Sequence, residues 1–186
     1  MELRLDGFIK KALWVVLLFF VLRYLISPPT SVYDFFGVSA EAITITIIVM
    51  SLYEKWLWKY NPLEKIPKLG KKYKGRIMYC FNGKDSEKDV VLKIQQTLLK
   101  VSIKIITDEV HSNSISSSFV LENNEYVLYY TYLTNPKSKV SKDNPIQYGT
   151  CRLMIVENNN LQGIYWTSRQ TIGDLYLIKL AEIIHL

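Results

Sequence analysis

Tyr79, Thr107, Ser114, Ser116, Tyr130, Tyr132, Asn135, Tyr148, Thr150, Thr167 and Arg169 carry the chemistry that can be read from this chain. Tyrosine faces stack on planar rings, a guanidinium pairs bidentately with phosphate oxygens, and hydroxyls supply hydrogen bonds to either. If a fold gathers them, they suit a ligand made of stackable bases and phosphates. Polar strand ends and sheet tyrosines also occur without a ligand, so the pattern has a purely structural reading as well. The segment Leu133 to Gln147 is longer than a hairpin needs and holds Lys137, Lys139 and Lys142 beside Asn135-Pro136. It reads as a phosphate-seeking lid or as a solvated tip.

No catalytic apparatus accompanies these residues. The sequence has no nucleophile elbow, no glycine loop that would cradle a phosphate and no metal-ligand cluster. His111 falls in an expected loop and His185 is one residue from the end. Ser112, Ser114, Ser116, Ser117 and Ser118 form a serine-rich strand, better suited to hydrogen bonding in a sheet than to nucleophilic attack. We expect a binding protein and no enzyme, with no metal and no cofactor.

Positioning falls to the last two thirds of the chain, where apolar and polar residues alternate with period two. Strands are expected over Tyr73 to Asn82, Asp89 to Thr97, Val101 to Asp108, Ser114 to Leu121, Glu125 to Thr134, Tyr148 to Val156, Asn160 to Thr167 and Thr171 to Leu180. One face of each run is apolar. The inward set includes Gly75, Ile77, Tyr79 and Phe81; Val90, Leu92, Ile94 and Gln96; and Ser116, Ser118 and Val120 in the serine strand. Asn82-Gly83, Asn123-Asn124 and Asn158-Asn159 tolerate the positive φ of tight hairpins, which makes consecutive strands antiparallel neighbours. Eight such strands close into an up-and-down barrel just wide enough for side chains or one small ligand. An open sandwich is the alternative.

Before the barrel, residues 1–60 hold two apolar segments, expected as helices over about 8–26 and 39–58. The first spans roughly 28 Å as a helix, near the thickness of a bilayer's hydrocarbon core, with Lys10, Lys11 and Arg23 snorkelling. A signal peptide is the competing reading, but no small-residue cleavage pattern follows. The second segment is the less apolar. Thr44, Thr46 and Ser51 suit a face packed on the first helix, and Trp56 and Trp58 suit the headgroup belt. Thr30 to Val38 is left as a short connection, 61–72 as a linker, and 73–186 as the barrel domain.

The formal charge of +6 is concentrated after residue 60, with seventeen Lys and Arg against twelve acids there. That surplus fits an acidic small molecule or an anionic membrane, and it lacks the dense basic stripe of a DNA or RNA binder. Lys10 and Lys11 precede the first segment, six lysines from Lys55 to Lys72 follow the second, and the connection has none. The positive-inside rule then puts both chain ends in the cytoplasm of a multi-pass membrane protein. Cys80 and Cys151 would be reduced there. A membrane-tethered barrel that carries or senses a lipid is the second reading; a ligand-free scaffold is the third.

Ile66-Pro67-x-Leu69-Gly70-x-x-Tyr73-x-Gly75, Ile94-x-Gln96, the serine strand Ser114 to Ser118, Tyr130-x-Tyr132, Gly149-Thr150-x-x-Leu153 and Gly163-x-Tyr165-x-Thr167-x-Arg169 with Gly173 follow two spans in this order. The chain thereby resembles the two-transmembrane, β-strand-rich effectors of bacterial CBASS antiphage systems, over essentially its whole length. Tyr73 stands where that family tends to have Trp, which keeps an aromatic plug at the barrel base. The resemblance implies a bacterial inner-membrane effector whose cytoplasmic barrel binds a cyclic dinucleotide made by a partner nucleotidyltransferase. It implies that binding promotes self-association, that the hairpins then disrupt the membrane, and that growth stops before phage mature. On this reading the bases stack on Tyr130 and Tyr132, while Arg169, with Thr107, Ser116 and Thr167, takes the phosphates.

Overall fold

Alternation with period two dictates eight strands, and a computed structural model of the chain, which describes residues 2–81, 83–142 and 144–181, contains eight. They are β1 (Lys72–Phe81), β2 (Lys84–Gln96), β3 (Val101–Ile106), β4 (Val110–Glu122), β5 (Glu125–Pro136), β6 (Tyr148–Val156), β7 (Asn160–Thr167) and β8 (Ile172–Lys179). Each pairs antiparallel with the next, and β1 pairs with β8, which closes the barrel and leaves no edge strand. Asn123, Asn124, Asn158 and Asn159 all adopt positive φ at their turns. Asn82 and His185, and the inward placement of Phe81, lie outside what is described.

By its contacts the chain forms two compact units: the residues up to Lys65 together with Thr97–Leu99, and Ile66–Gln96 together with the residues from Lys100 on. In the second unit the core is the barrel interior, filled by Val90, Leu92, Ile94, Ile103, Leu128, Leu153, Leu161, Leu175 and Leu177. At the end where β1 begins, Tyr73 is fully buried and its Oη accepts from Gly70 N at 2.8 Å. Gln96 clamps the preceding segment, accepting from Leu69 N at 2.9 Å and donating to Pro67 O at 2.7 Å. Ile66 and Leu69 pack on the core, so this end is stoppered.

One strand departs from simple alternation. β4 pairs Ser114 with Tyr132 but Ser116 with Thr131, so Ile115 is an extra residue and the register shifts there. A bulge of this kind exchanges the faces beyond it. Ser112 and Ser114 point inward before the bulge, and Ser117 and Phe119 after it, opposite Tyr130 and Leu128. Ser116, Ser118 and Val120, expected inside, therefore face outward. Ser114 Oγ accepts from Ile103 N at 2.9 Å and Ser117 Oγ donates to Val101 O, so these hydroxyls reinforce the wall on the β3 side of the bulge.

The first unit holds α1 (Glu2–Ile26) and α2 (Val32–Lys55), followed by a short 3-10 helix over Leu57–Tyr60. Helix α2 starts seven residues before the expected 39 because Ser31 and Asp34 form a capping box. Asp34 N donates to Ser31 Oγ and Ser31 N to Asp34 Oδ2, both at 3.1 Å. The expected connection therefore shrinks to Ser27–Ser31. Val38, Ala42, Thr46 and Met50 recur every fourth residue as the buried stripe of α2, and the helices pair through Phe20 on Phe35 and Arg23 Nε on Glu41 Oε2 at 2.8 Å. Thr44 and Ser51 lie off that stripe, exposed, and donate back to Ala40 O and Ile47 O. Trp58 is fully buried in the protein, whereas Trp56 is exposed under Lys55.

Candidate functional site

Opposite the stoppered end, a cavity of about 300 Å³ opens inside the barrel. Its floor and lower walls are Ile77, Ile105, Cys151, Leu175 and the Tyr132 ring; its upper walls hold Tyr79, Lys88, Thr107, Glu109, Ser112, Thr134, Tyr165, Thr167 and Arg169. Asn144 and Gln147 enter from the β5–β6 connection.

Four tyrosines fit in so narrow a barrel because each faces a small residue across the ladder. Directly opposite neighbours run Tyr130, Cys151, Tyr165, Gly173, Tyr79 across β5, β6, β7, β8 and β1. Tyr132 likewise faces Gly149. A Cβ on Gly149 would lie 2.3 Å from Tyr132 Cζ, and one on Gly173 would lie 2.6 Å from Tyr165 Cε1. The rings lie flat on these glycine shelves, which holds them against the wall and keeps the centre open. Gly149→Val is expected to push Tyr132 into the cavity, at a cost of about 1–3 kcal/mol in stability and with loss of binding volume. Thermal unfolding with ligand titration measures both, and adding Tyr132→Ala to the same chain should recover part of the volume.

Burial sets the protonation of this layer. Cys151, buried opposite Tyr130, has its thiol pushed up to about 12. Burial likewise raises the phenols of Tyr130, Tyr132 and Tyr165 above the usual tyrosine range. The Tyr130 hydroxyl has no hydrogen-bond partner of normal geometry, with the Cys151 thiol as its polar neighbour. The folded barrel thus holds these protons to higher pH than the unfolded chain does. Their contribution is intact below about pH 8 and falls as pH rises, by about 1.4 kcal/mol per pH unit for each group ionised only when unfolded. Urea midpoints should drop between about pH 8 and pH 10.5; equal midpoints would contradict the buried, protonated layer.

Two cations serve the cavity. Lys88 Nζ lies 2.6 Å from Glu109 Oε2 and 5.6 Å from the centre of the Tyr79 ring. Partial burial disfavours the ammonium, but Glu109 and Tyr79 outweigh it and leave the Lys88 pKa above the usual lysine value. Arg169 sits in the β7–β8 turn, where its N–H donates to Thr167 Oγ1 at 3.3 Å and Gln170 takes a positive φ. The connection read as either a lid or a solvated tip is tied down at several points. Lys137 N donates to Glu109 O at 2.9 Å, Gln147 N to Thr134 Oγ1 at 2.9 Å, and Gln147 Nε2 to Asn144 Oδ1 at 2.9 Å. Gln147 Oε1 is buried with no partner, which leaves an acceptor at the cavity wall. Lys139 and Lys142 are exposed, and Lys137 donates to Asp108 O, so none of these lysines lines the cavity.

Of the side chains singled out in the sequence, Tyr79, Thr107, Tyr132, Thr167 and Arg169 meet at this cavity. Tyr130 lies beneath it, 2 % exposed, with its ring centre 5.9 Å from that of Tyr132. A ligand therefore cannot stack on Tyr130 while the barrel stays packed. Ser114 faces inward but is committed to Ile103 N. Ser116, Asn135 and Thr150 face outward, as does Tyr148: Asn135 and Thr150 are the neighbours of inward Thr134 and Cys151, and Thr150 lies 3.4 Å from Thr131 on the outer wall. Lys88 shares the inward parity of Val90 and Leu92 but precedes the strand expected from Asp89, whereas β2 begins at Lys84.

Comparison with known proteins bears on this cavity directly. Residues 64–179, the barrel with its stopper, match the family described as Cap15, cyclic dinucleotide receptor domain. The chain belongs to the Cap15 family. It is also 36% identical over 180 residues to CD-NTase-associated protein 15 of Staphylococcus schleiferi, covering 95% of this chain and 98% of that one. The family is the one that the order of motifs from Ile66 to Gly173 resembles, and the Cap15 match ends where β8 ends, at Lys179.

Proposed function

We propose that this Cap15 protein is the membrane-anchored effector of a CBASS system, and that its barrel cavity receives a cyclic dinucleotide made by a partner nucleotidyltransferase. The cavity carries the proposal: the Tyr132 and Tyr165 rings seated on glycines and the Tyr79 side chain beside them, with Lys88 and Arg169 at the walls, match a ligand of two bases and two phosphates. Tyr132, Tyr165 and Tyr79 offer the faces for the bases. Lys88 and Arg169 neutralise the phosphates, with Thr107 and Thr167 supplying hydroxyls. Binding needs no catalytic group, and no cluster of three or more potential metal ligands exists among the described residues. The lipid-carrier reading would require an apolar bore through mid-height, which Leu92, Leu128 and Leu153, all fully buried, instead fill.

The N-terminal helices supply the anchor. Helix α2 is long and apolar enough to cross a bilayer, and it is the one such helix among the described residues. Helix α1 carries Lys10, Lys11 and Arg23 but exposes Leu13, Trp14, Leu17, Leu18 and Val21, the surface of a helix that meets lipid. With both chain ends on the cytoplasmic side of the bacterial inner membrane, ligand binding favours a form that self-associates, and the hairpins then breach the bilayer. Ligand shifts that equilibrium only by binding the associating form more tightly. Isothermal titration of the full chain in lipid nanodiscs against a panel of cyclic dinucleotides tests the first step, and no heat from any of them would overturn it. Vesicle leakage on ligand addition tests the last step.

A further inference from the structure

The outer wall of β1 to β3 has an arrangement that costs energy unless something compensates for it. Lys72 lies directly opposite Lys93, and Lys93 directly opposite Lys104, so three lysines form one row across three neighbouring strands. All three are exposed, as is Lys74 two residues along β1. Like charges in directly opposed positions destabilise a sheet. None of the four is in an ion pair among the described residues. The acids on the outer face of β2, Asp85, Glu87 and Asp89, lie toward the cavity end, where Arg76 engages Glu87 at 2.8 Å and Asp89 at 3.9 Å. Charge on this wall is thus sorted by height, with acids toward the mouth and uncompensated lysines toward the end where β1 begins.

That end is also where the chain arrives from α2. Lys59, Lys65, Lys68 and Lys71 lie in the segment between Lys55 and Lys72. Lysines beside a membrane span can be explained by topology alone, but Lys93 and Lys104 are remote in sequence and reach the row only through strand pairing. We infer that the Lys72, Lys93 and Lys104 row is a docking face for the anionic phospholipid headgroups of the cytoplasmic leaflet. The inference rests on the membrane-anchored reading. A leaflet of negative charge supplies in one plane the counter-ions that the barrel itself withholds, and basic side chains held at such a surface add their attractions. Docking through this wall fixes the barrel's orientation on the bilayer.

The test is lysine acylation footprinting of the full chain, in vesicles of phosphatidylcholine alone or mixed equally with phosphatidylglycerol. Lys139 and Lys142, exposed on the β5–β6 connection, serve as the reference. Phosphatidylglycerol should slow acylation of Lys72, Lys93 and Lys104 about fivefold or more relative to the reference. Protection should vanish in about 0.5 M NaCl, where screening shortens the reach of charge to roughly 4 Å. Lys93→Glu with Lys104→Glu should abolish protection of Lys72, and Lys93→Arg with Lys104→Arg should retain it. Equal acylation in the two lipids overturns the inference. So does protection that ignores phosphatidylglycerol and grows with protein density, which would mark a contact between copies. Flotation with the vesicles at high salt reports the anchor separately: a chain that floats without lipid-dependent protection has lost only this inference, and one that fails to float has lost the anchor.

Discussion

Lys88→Ala is expected to weaken cyclic dinucleotide binding by about 100-fold or more, the largest effect of any single cavity substitution that leaves the fold intact. A charge-assisted hydrogen bond is worth about 1.5–3 kcal/mol, or roughly 10- to 150-fold in affinity. Losing it is only the first part of the effect. Lys88 Nζ is bound to Glu109 Oε2 at 2.6 Å, and both side chains are about one third exposed. Removing the ammonium leaves that carboxylate facing a ligand with two negative phosphates. The ion pair itself adds little stability at this exposure, so folding should be almost unaffected.

The same geometry makes Glu109 a restraint on affinity. Glu109→Gln should tighten binding, and Lys88→Ala combined with Glu109→Gln should recover part of what Lys88→Ala loses. The two effects are therefore non-additive, and a double-mutant cycle by isothermal titration measures the coupling. Arg169→Ala should also weaken binding, by removing its charge-assisted hydrogen bonds to phosphate. Unchanged affinity in Lys88→Ala would take Lys88 out of the site. Weaker binding in Glu109→Gln would mean that Glu109 accepts a hydrogen bond from a base, and the counter-ion account would fail.

Much of this site is legible in the sequence, and the gaps have separate physical causes. Alternation identifies which face a residue takes, so Tyr79, Thr107, Tyr132 and Thr167 could be found before any coordinates. It says nothing of depth. Tyr130 and Tyr132 share a face, yet one is packed under the cavity and the other lines it, because strand stagger sets height. Thr150 and Asn135 share the polar chemistry of the other candidates, but the inward parity of Cys151 and Tyr132 turns them outward. The bulge at Ile115 leaves no mark in the alternation of a run made of serines, since serine suits either face. Lys88 falls one residue before the strand expected from Asp89, and the partner that makes a charge tolerable inside the barrel, Glu109, is in another hairpin. Gln147 enters through the β5–β6 connection, whose fold depends on hydrogen bonds to Thr134 and Glu109 that no local pattern announces.

Ile43→Arg combined with Ile47→Arg is expected to remove the chain from the membrane fraction. Both residues lie near the middle of α2 and are exposed, at 49% and 61%, off the buried stripe Val38, Ala42, Thr46 and Met50. The substitutions therefore leave the contacts with α1 in place and alter only what would face lipid. Arginine at the centre of a spanning helix costs about 2.5–3.5 kcal/mol on insertion scales, so the pair costs roughly 5–7 kcal/mol, beyond what most single helices have in hand. Snorkelling offers little relief, since mid-helix positions are the farthest from either interface. Carbonate extraction of cell membranes should find the variant released and the parent chain retained. If α2 were instead the core helix of a soluble assembly, the arginines would destabilise that assembly and the parent chain itself would be extracted. Retention of the parent with release of the variant is the outcome that only a bilayer-crossing α2 produces, and the barrel's eight strands, which share no residue with α2, should keep their alkaline unfolding profile in both.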